Sequence, residues 1–180
     1  GDPSCDWPTL LHTLDAKVLC EGANGTRTLD INGFVEDLYQ TALAPGEMIT
    51  GVRFDKPGPG SGGAYCAFTR CAPAYPTTSV GVQLALEGGK VRSARVALGS
   101  SGLTPIRARD AEQELTGQAP TDAVIRKAAA AAVAASDPVN DQRGSPAYKR
   151  RLIDTLTRRA VGIALRRAAG ETVKNSHEYY

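Results

Sequence analysis

The segment D-K-P-G-P-G-S-G-G at residues 55–63 is the clearest break in this chain and divides it into two parts. Proline lacks a backbone donor and fixes φ, and glycine loses the most conformational freedom on ordering. Two prolines and four glycines in nine residues therefore sustain neither a helix nor a central strand, and a loop or linker is expected. One unit should precede it, over residues 1–54, and another follow, over 64–170. The glycines do not match the phosphate-cradling spacing G-x-x-x-x-G-K-[ST], and no lysine-bearing helix start follows them.

The first part reads as a mixed unit. Trp7, Leu10, Leu11 and Leu14 recur at helical spacing and predict a short helix over 7–14. Residues 16–21 and 26–31 predict two strands joined as a hairpin through Gly22-Ala23-Asn24-Gly25, a loop suited to positive φ. Asn32 is placed to cap a helix over 33–39 with Phe34, Val35 and Leu38 inward. Pro45-Gly46 then turns the chain into a strand over 48–54.

The second part changes style. Strands are predicted over 64–70, 79–87 and 91–99, with Gly88-Gly89 as the hairpin turn between the last two. Val80, Val82, Leu84 and Leu86 alternate with Gly81, Gln83 and Ala85, the pattern of a sheet with one buried face. Thr104-Pro105 should cap and start a helix over 105–116 that Gly117 stops. Thr121 or Asp122 begins a second helix through the alanine run at 128–135, ending near Ser136-Asp137-Pro138. Ser145-Pro146 starts a third that ends near Gly170, with Tyr148, Leu152, Leu156, Ala160 and Ile163 as its apolar stripe. Strands followed by segregated helices place this part in the α+β class, and residues 171–180 read as a polar tail.

Composition limits the functions such a chain can serve. With 42% apolar and 22% charged residues it can bury a core, and a net charge of +2 is too balanced for a dedicated nucleic-acid binder. Neither a membrane span nor a signal peptide is expected, and the start at Gly1-Asp2-Pro3 without Met suggests a fragment or a processed piece. Cys5, Cys20, Cys66 and Cys71 form no C-x-x-C pair, and His12 and His177 are the sole histidines, so no metal spacing exists. Reduced, partly buried thiols and a cytoplasmic location are expected. No catalytic constellation stands out: His12 reads as a surface or satisfied core histidine, His177 as part of the tail, and the pairs Asp2/Asp6 and Asp110/Glu112 as surface carboxylates. Arg143, Lys149, Arg150, Arg151, Arg158, Arg159, Arg166 and Arg167 make the last helix basic, with Asp154 opposing. Without an aromatic stacking platform this reads as a solvated face or a salt-bridged subunit contact.

Five ordered strings carry a resemblance. They are G-D-P-S-C-D-W-P-T-L-L-H-T-L-D-A at 1–16, A-L-A-P-G-E-M-I-T-G-V-R-F at 42–54, R-V-A-L-G-S-S-G-L-T-P-I-R-A-R-D-A-E-Q-E-L-T-G at 95–117, D-Q-R-G-S-P-A-Y-K-R-R-L at 141–152 and L-T-R-R-A-V at 156–161. Together they resemble the FAD-binding medium subunit of molybdenum hydroxylases, of the aerobic carbon monoxide dehydrogenase type and related to the flavin domain of xanthine dehydrogenase. The resemblance implies that residues 1–54 are the last part of a FAD-binding domain of the xanthine dehydrogenase type. It implies that 64–170 are a carbon monoxide dehydrogenase flavoprotein C-terminal-like domain, with a three-stranded antiparallel sheet packed on three helices.

In such proteins FAD passes electrons from [2Fe-2S] clusters to an external acceptor, after substrate oxidation at a molybdenum cofactor. The implied partners are a molybdenum-cofactor large subunit and an iron–sulfur small subunit. Residue by residue, Asp6 matches an aspartate that contacts FAD, where a carboxylate would accept from a ribose hydroxyl, and Asp2 lies in the same phosphate-side turn. Ile49 matches an apolar position beside the cofactor and Tyr75 one close to the isoalloxazine. From the residues alone, Asp6 could equally stabilise a turn, Ile49 fill a strand core and Tyr75 sit in a surface loop. Two features depart from the family pattern: glycine-rich pyrophosphate loops precede the position of Gly1 in the family, and Ala67 stands where a lysine often follows in A-Y-x-K. The resemblance thus implies an electron-transfer flavoprotein portion, with a non-catalytic docking module acting through the basic C-terminal helices as the alternative.

Overall fold

Turn chemistry and alternation set the two sheets of this computed structural model, which describes residues 1–2, 4–71 and 74–174 and the backbone of 178–179. Helix α1 (Asp6–Thr13) leads to strands β1 (Lys17–Gly22), β2 (Gly25–Asp30), β3 (Val35–Asp37), β4 (Gln40–Thr41) and β5 (Met48–Arg53). β1 lies between β2 and β5 in an antiparallel sheet, with β3 and β4 as a separate two-stranded ribbon. Leu11, Ala16, Val18, Cys20, Ile31, Phe34 and Val35 make the small core under them.

The expected helix over 33–39 is absent. The Asp30 carboxylate accepts from the Asn32 backbone N–H at 2.9 Å and from its Nδ2 at 3.0 Å, so Asn32 closes a turn instead of capping a helix. Gly33 at φ 97° and Tyr39 at φ 57° then place both ends of the segment in the left-handed region, which a helix excludes. Phe34 and Val35 are buried as anticipated, whereas Leu38 is 49% exposed.

Past residues 55–60, β6 (Ser61–Thr69), β7 (Thr78–Glu87), β8 (Lys90–Gly99) and β9 (Ile106–Arg107) form an antiparallel meander. Helices α2 (Arg109–Leu115), α3 (Asp122–Ala135) and α4 (Pro146–Ala168) follow, and β10 (Glu178–Tyr179) returns parallel to β6, giving the order β10-β6-β7-β8-β9. The sheet is thus five-stranded where three strands were expected, and the tail supplies one of them. Gly88 and Gly89, at φ 55° and 76°, make the two-residue hairpin turn that a tight β7–β8 connection demands. Thr121 and Ser145 cap α3 and α4 by accepting from the backbone N–H groups of Val124 and Tyr148.

Three tertiary contacts redraw the boundaries read from sequence. Ser61, Gly62 and Gly63 belong to β6, because a Cβ on Gly62 would lie 2.0 Å from the Ala164 carbonyl oxygen of α4: only glycine lets that helix backbone approach. The helix expected at Pro105 starts at Arg109, since Ile106 and Arg107 pair with Leu98 and Ala97 and the Ala108 N–H reaches the Val96 carbonyl at 2.9 Å. The sheet is covered on both faces. Val80, Val82 and Leu84 meet Leu115, Ala128, Ile153 and Val161 in the larger core, and α1 lies across the other face. There a Cβ on Gly81 would come within 2.8 Å of Thr13, and one on Gly99 within 2.2 Å of Thr9.

The stripe of α4 is also rotated from expectation. Leu156 and Ala160 are buried, joined by Ile153, Thr157, Val161 and Ala164, while Leu152 and Ile163 are half-buried. Tyr148 stays 40% exposed, edge-on to Phe68.

One ion network locks α1 to this sheet. Arg107 donates to the Glu112 carboxylate, to the Asp15 carboxylate and to the His12 carbonyl oxygen at 3.0 Å, and Arg95 donates to Asp15. Glu112, expected at the surface, is buried and also accepts from the Val96 N–H at 2.9 Å. Removing one partner of a buried ion pair strands the other. Arg107→Met should therefore lower unfolding stability by about 3 kcal/mol in urea titration, and Arg107→Met/Glu112→Gln, which removes the stranded charge and keeps an acceptor for the Val96 N–H, should regain part of it.

Candidate functional site

A cavity of about 420 Å³ opens where the two cores meet. Its walls come from the N-terminal turn (Asp2, Ser4), the β3–β4 turn (Leu38, Tyr39), the segment before β7 (Tyr75, Thr77), the loop after β8 (Ser100, Leu103) and the entry to α4 (Asp141, Arg143, Lys149). The Tyr39 N–H donates to the Gly1 carbonyl at 2.9 Å, tying the first two of these walls together, and an Asp2 carboxylate oxygen accepts from the Ser4 N–H at 2.9 Å.

Lys149 supports the floor from beneath. It is 2% exposed and donates to the Asp141 carboxylate and to the Val139 carbonyl oxygen, each at 2.8 Å. Burial by itself would raise the Asp141 pKa; the Lys149 bond, the Arg143 backbone N–H at 2.8 Å and both cations hold it below its ordinary value. Ser100 sits at φ 53°, and its buried Oγ has no hydrogen-bond partner among the described residues. Tyr75 is 52% exposed.

The four residues singled out from sequence lie in three places. Asp2 and Tyr75 line the cavity just described. Asp6 opens α1, accepts from the Tyr65 hydroxyl and shares a small pocket with Trp7, Leu10 and Tyr65. Ile49 lies on β5 opposite Cys20, 45% exposed, and lines neither. Ser100, Leu103 and Lys149 escaped attention as site residues. The strings L-G-S-S-G-L and D-Q-R-G-S-P were visible, but only folding brings the two together.

Other chemical candidates are accounted for structurally. His12 is buried with Nδ1 3.1 Å from Asn32 Oδ1, and burial lowers its pKa. His177 lies outside the described residues. None of the four cysteines is in a disulfide, and no cluster among the described residues could hold a metal ion. Nor is any described helix long and apolar enough to cross a membrane. The basic helix is largely pinned. Lys149 is buried, Arg158 pairs with Asp154 and Arg166 with Glu171, and Arg167 donates to the carbonyls of Gly63 and Val173, while Arg150 and Arg151 are exposed without an acidic partner among the described residues.

Comparison with known proteins gives this arrangement a family. A family model described as the CO dehydrogenase flavoprotein C-terminal domain matches residues 63–164, and one described as a FAD binding domain in molybdopterin dehydrogenase matches 1–57. The chain belongs to the FAD-binding medium subunits of molybdenum hydroxylases. It is 34% identical over 168 residues to the carbon monoxide dehydrogenase medium chain of Afipia carboxidovorans, covering 93% of this chain and 58% of that one. The 6-hydroxypseudooxynicotine dehydrogenase complex subunit alpha of Paenarthrobacter nicotinovorans is 32% identical over 93% of this chain and 57% of its own length.

Among solved structures, the carbon monoxide dehydrogenase of Hydrogenophaga pseudoflava lacking the Mo-pyranopterin moiety superposes with a TM-score of 0.91 at 34% identity, over 93% of this chain and 58% of that one. This medium-subunit chain thus spans a little over half the length of these relatives.

The Lys149–Asp141 pair generates a pH test. Because the Asp141 pKa is lowered in the folded state, its contribution is complete above its unfolded value of 3.8 and is lost as pH falls through the folded one. Lys149→Met should cost about 2 kcal/mol in urea titrations at neutral pH. That gap from the unaltered protein should narrow below about pH 4.

Proposed function

We propose that this chain forms part of the flavin-holding, electron-transferring subunit of a molybdenum hydroxylase. The observation that carries the reading is the cavity that places Tyr75 and Asp2 together, in a chain of this family. Its residues fit a flavin. The volume suits a small-molecule site, Tyr75 and Leu103 offer exposed apolar surface to a planar ring, and Asp2, Arg143 and the unpartnered Ser100 hydroxyl offer polar contacts at its edges.

FAD, when bound, supplies the redox chemistry that links [2Fe-2S] clusters to an external acceptor; the protein binds, orients and shields it. In this reading the molybdenum cofactor belongs to a large subunit and the clusters to a small one. The proposed division is residues 1–54 as the end of the FAD-binding domain, 55–60 as a connection and 61–170 as the C-terminal domain, to whose sheet the tail at 171–180 adds β10. Four cysteines outside any disulfide favour the reducing cytoplasm.

Titration of the chain with FAD, followed by flavin fluorescence, should saturate, and Tyr75→Ala and Asp6→Ala should each weaken the affinity about tenfold, equivalent to about 1.4 kcal/mol. A folded chain that binds no FAD would overturn the proposal.

A second reading, a docking module for the partner subunits, draws on one specific feature. Arg150 and Arg151, exposed and without acidic partners among the described residues, border an open, largely apolar groove that α4 forms with Ala130 and Val133 of α3. Arg150→Glu/Arg151→Glu should then abolish co-purification with the molybdenum and iron–sulfur subunits while leaving FAD affinity unchanged. Loss of both together would count against a separate docking role.

A further inference from the structure

Helix α1 covers only part of the sheet face on which it lies. The rungs Tyr65–Gly81–Ala97 and Ala67–Ser79–Gly99 run beneath it, where Thr13 and Thr9 fill the space above Gly81 and Gly99. The helix ends at Thr13, and the next rungs, Gly63–Gln83–Arg95 and Ser61–Ala85–Ser93, continue past that end. They alternate along their strands with Gly62, Leu84 and Ala94, which face the larger core, and so belong to the α1 face. A cavity of about 300 Å³ lies over them, bordered by Leu14 and Asp15 after α1 and by residues 55–58 of the connection between the two sheets. Small side chains keep its floor low. Gly63 has none, and Gln83 lies across β6 there, with Oε1 2.5 Å from the point that a Cβ on Gly63 would occupy.

The polar groups around this cavity are uncommitted. The side chains of Lys56, Ser61, Gln83, Arg92 and Ser93 have no hydrogen-bond or ionic partner among the described residues. Arg95 spends its Nε on Asp15, and its two Nη groups have no partner there either. Asp15 is itself occupied by Arg95 and Arg107, so one uncommitted carboxylate, Asp55, stands against an ammonium and two guanidinium groups. Excess donors and excess positive charge select an anion, and guanidinium forks beside an ammonium match the oxygens of a phosphoryl group. A phosphate ion would fill only a corner of this space. Two serine hydroxyls and a primary amide are partners for further hydroxyl groups, and no aromatic side chain lines the cavity for a nucleobase to stack on.

We propose that this cavity binds a small sugar phosphate, its phosphoryl group held by Lys56, Arg92 and Arg95 and its hydroxyls by Ser61, Gln83 and Ser93. The site lies beyond the flavin reading and does not need it. Helix α1, about 12 Å long, separates the cavity from Asp6, and no residue lining it lines the Asp2–Tyr75 cavity or the Asp6 pocket.

Calorimetric titration of the 180-residue chain with glucose 6-phosphate should show one saturable site. Inorganic phosphate should bind about tenfold more weakly and glucose not measurably, and the affinity for glucose 6-phosphate should fall as salt rises. Lys56→Gln/Arg92→Gln alters two exposed side chains, so the melting temperature and the FAD affinity should stay as they are while glucose 6-phosphate and phosphate both weaken about tenfold. Ser61→Ala/Ser93→Ala should weaken glucose 6-phosphate about fivefold and leave inorganic phosphate unchanged.

A folded chain that binds no glucose 6-phosphate overturns the site. Equal affinity for inorganic phosphate and glucose 6-phosphate overturns the sugar assignment. Undiminished binding by Lys56→Gln/Arg92→Gln, or displacement of glucose 6-phosphate by FAD, puts the phosphate elsewhere and overturns the site as well. The flavin reading is untouched by these outcomes, since the FAD titration decides it separately.

Discussion

The seating of α1 on a sheet far from it in sequence is the contact on which the rest of the molecule depends. Two glycines make room for it, Gly81 beneath Thr13 and Gly99 beneath Thr9, where any side chain would collide with the helix. Charged and polar bonds then hold both ends, Tyr65 at Asp6 and the pair Arg95 and Arg107 at Asp15. Because α1 opens the first core and the sheet belongs to the second, this one docking event sets how the two cores face each other. The cavity that receives Asp2 from one side and Tyr75 from the other exists as a result.

The polar groups that secure this arrangement are buried, and that decides their weight. Arg107 and Glu112 have side chains 8% and 9% exposed, so each keeps the other from being an unpaired charge in a dry place. Lys149 does the same beneath the cavity floor for Asp141 and the Val139 carbonyl. By contrast Lys17 with Asp30 and Arg158 with Asp154 are solvent-facing pairs, screened by water and salt, and contribute little to which fold forms. The long basic helix therefore divides by environment. Some of its cations brace the structure, and Arg150 and Arg151 face solvent.

Much of the secondary structure was legible because its causes are local. The caps Thr121 and Ser145, the Gly88-Gly89 turn and the alternation along β7 each act within a few residues of themselves. Two of the misreadings have the opposite character: residues 106–107 were recruited as an edge strand by β8, and Gly62 was taken into β6 by the approach of α4, so that a tertiary contact overrode local propensity. Residues 33–39 differ, since the helix there gives way to a local turn set by the Asp30 side chain and two left-handed backbone positions.

The site shows the same division. Motif content alone singled out Asp2, Asp6, Ile49 and Tyr75, since residue type and order survive without a fold, but it carried no information on which of them meet. Sequence by itself determined the family, the two cores, the hairpins and capped helices, and the absence of metal-ligand spacing, all properties of residue order and local chemistry. Only the tertiary structure decided that Asp2 and Tyr75 share a cavity while Asp6 is held by Tyr65 in a pocket of its own, that Ser100 and Lys149 belong to the walls, and that α1 covers the second face of the sheet. Those facts depend on distances between residues remote in sequence, and such distances are set by close packing and by the need to pair every buried charge.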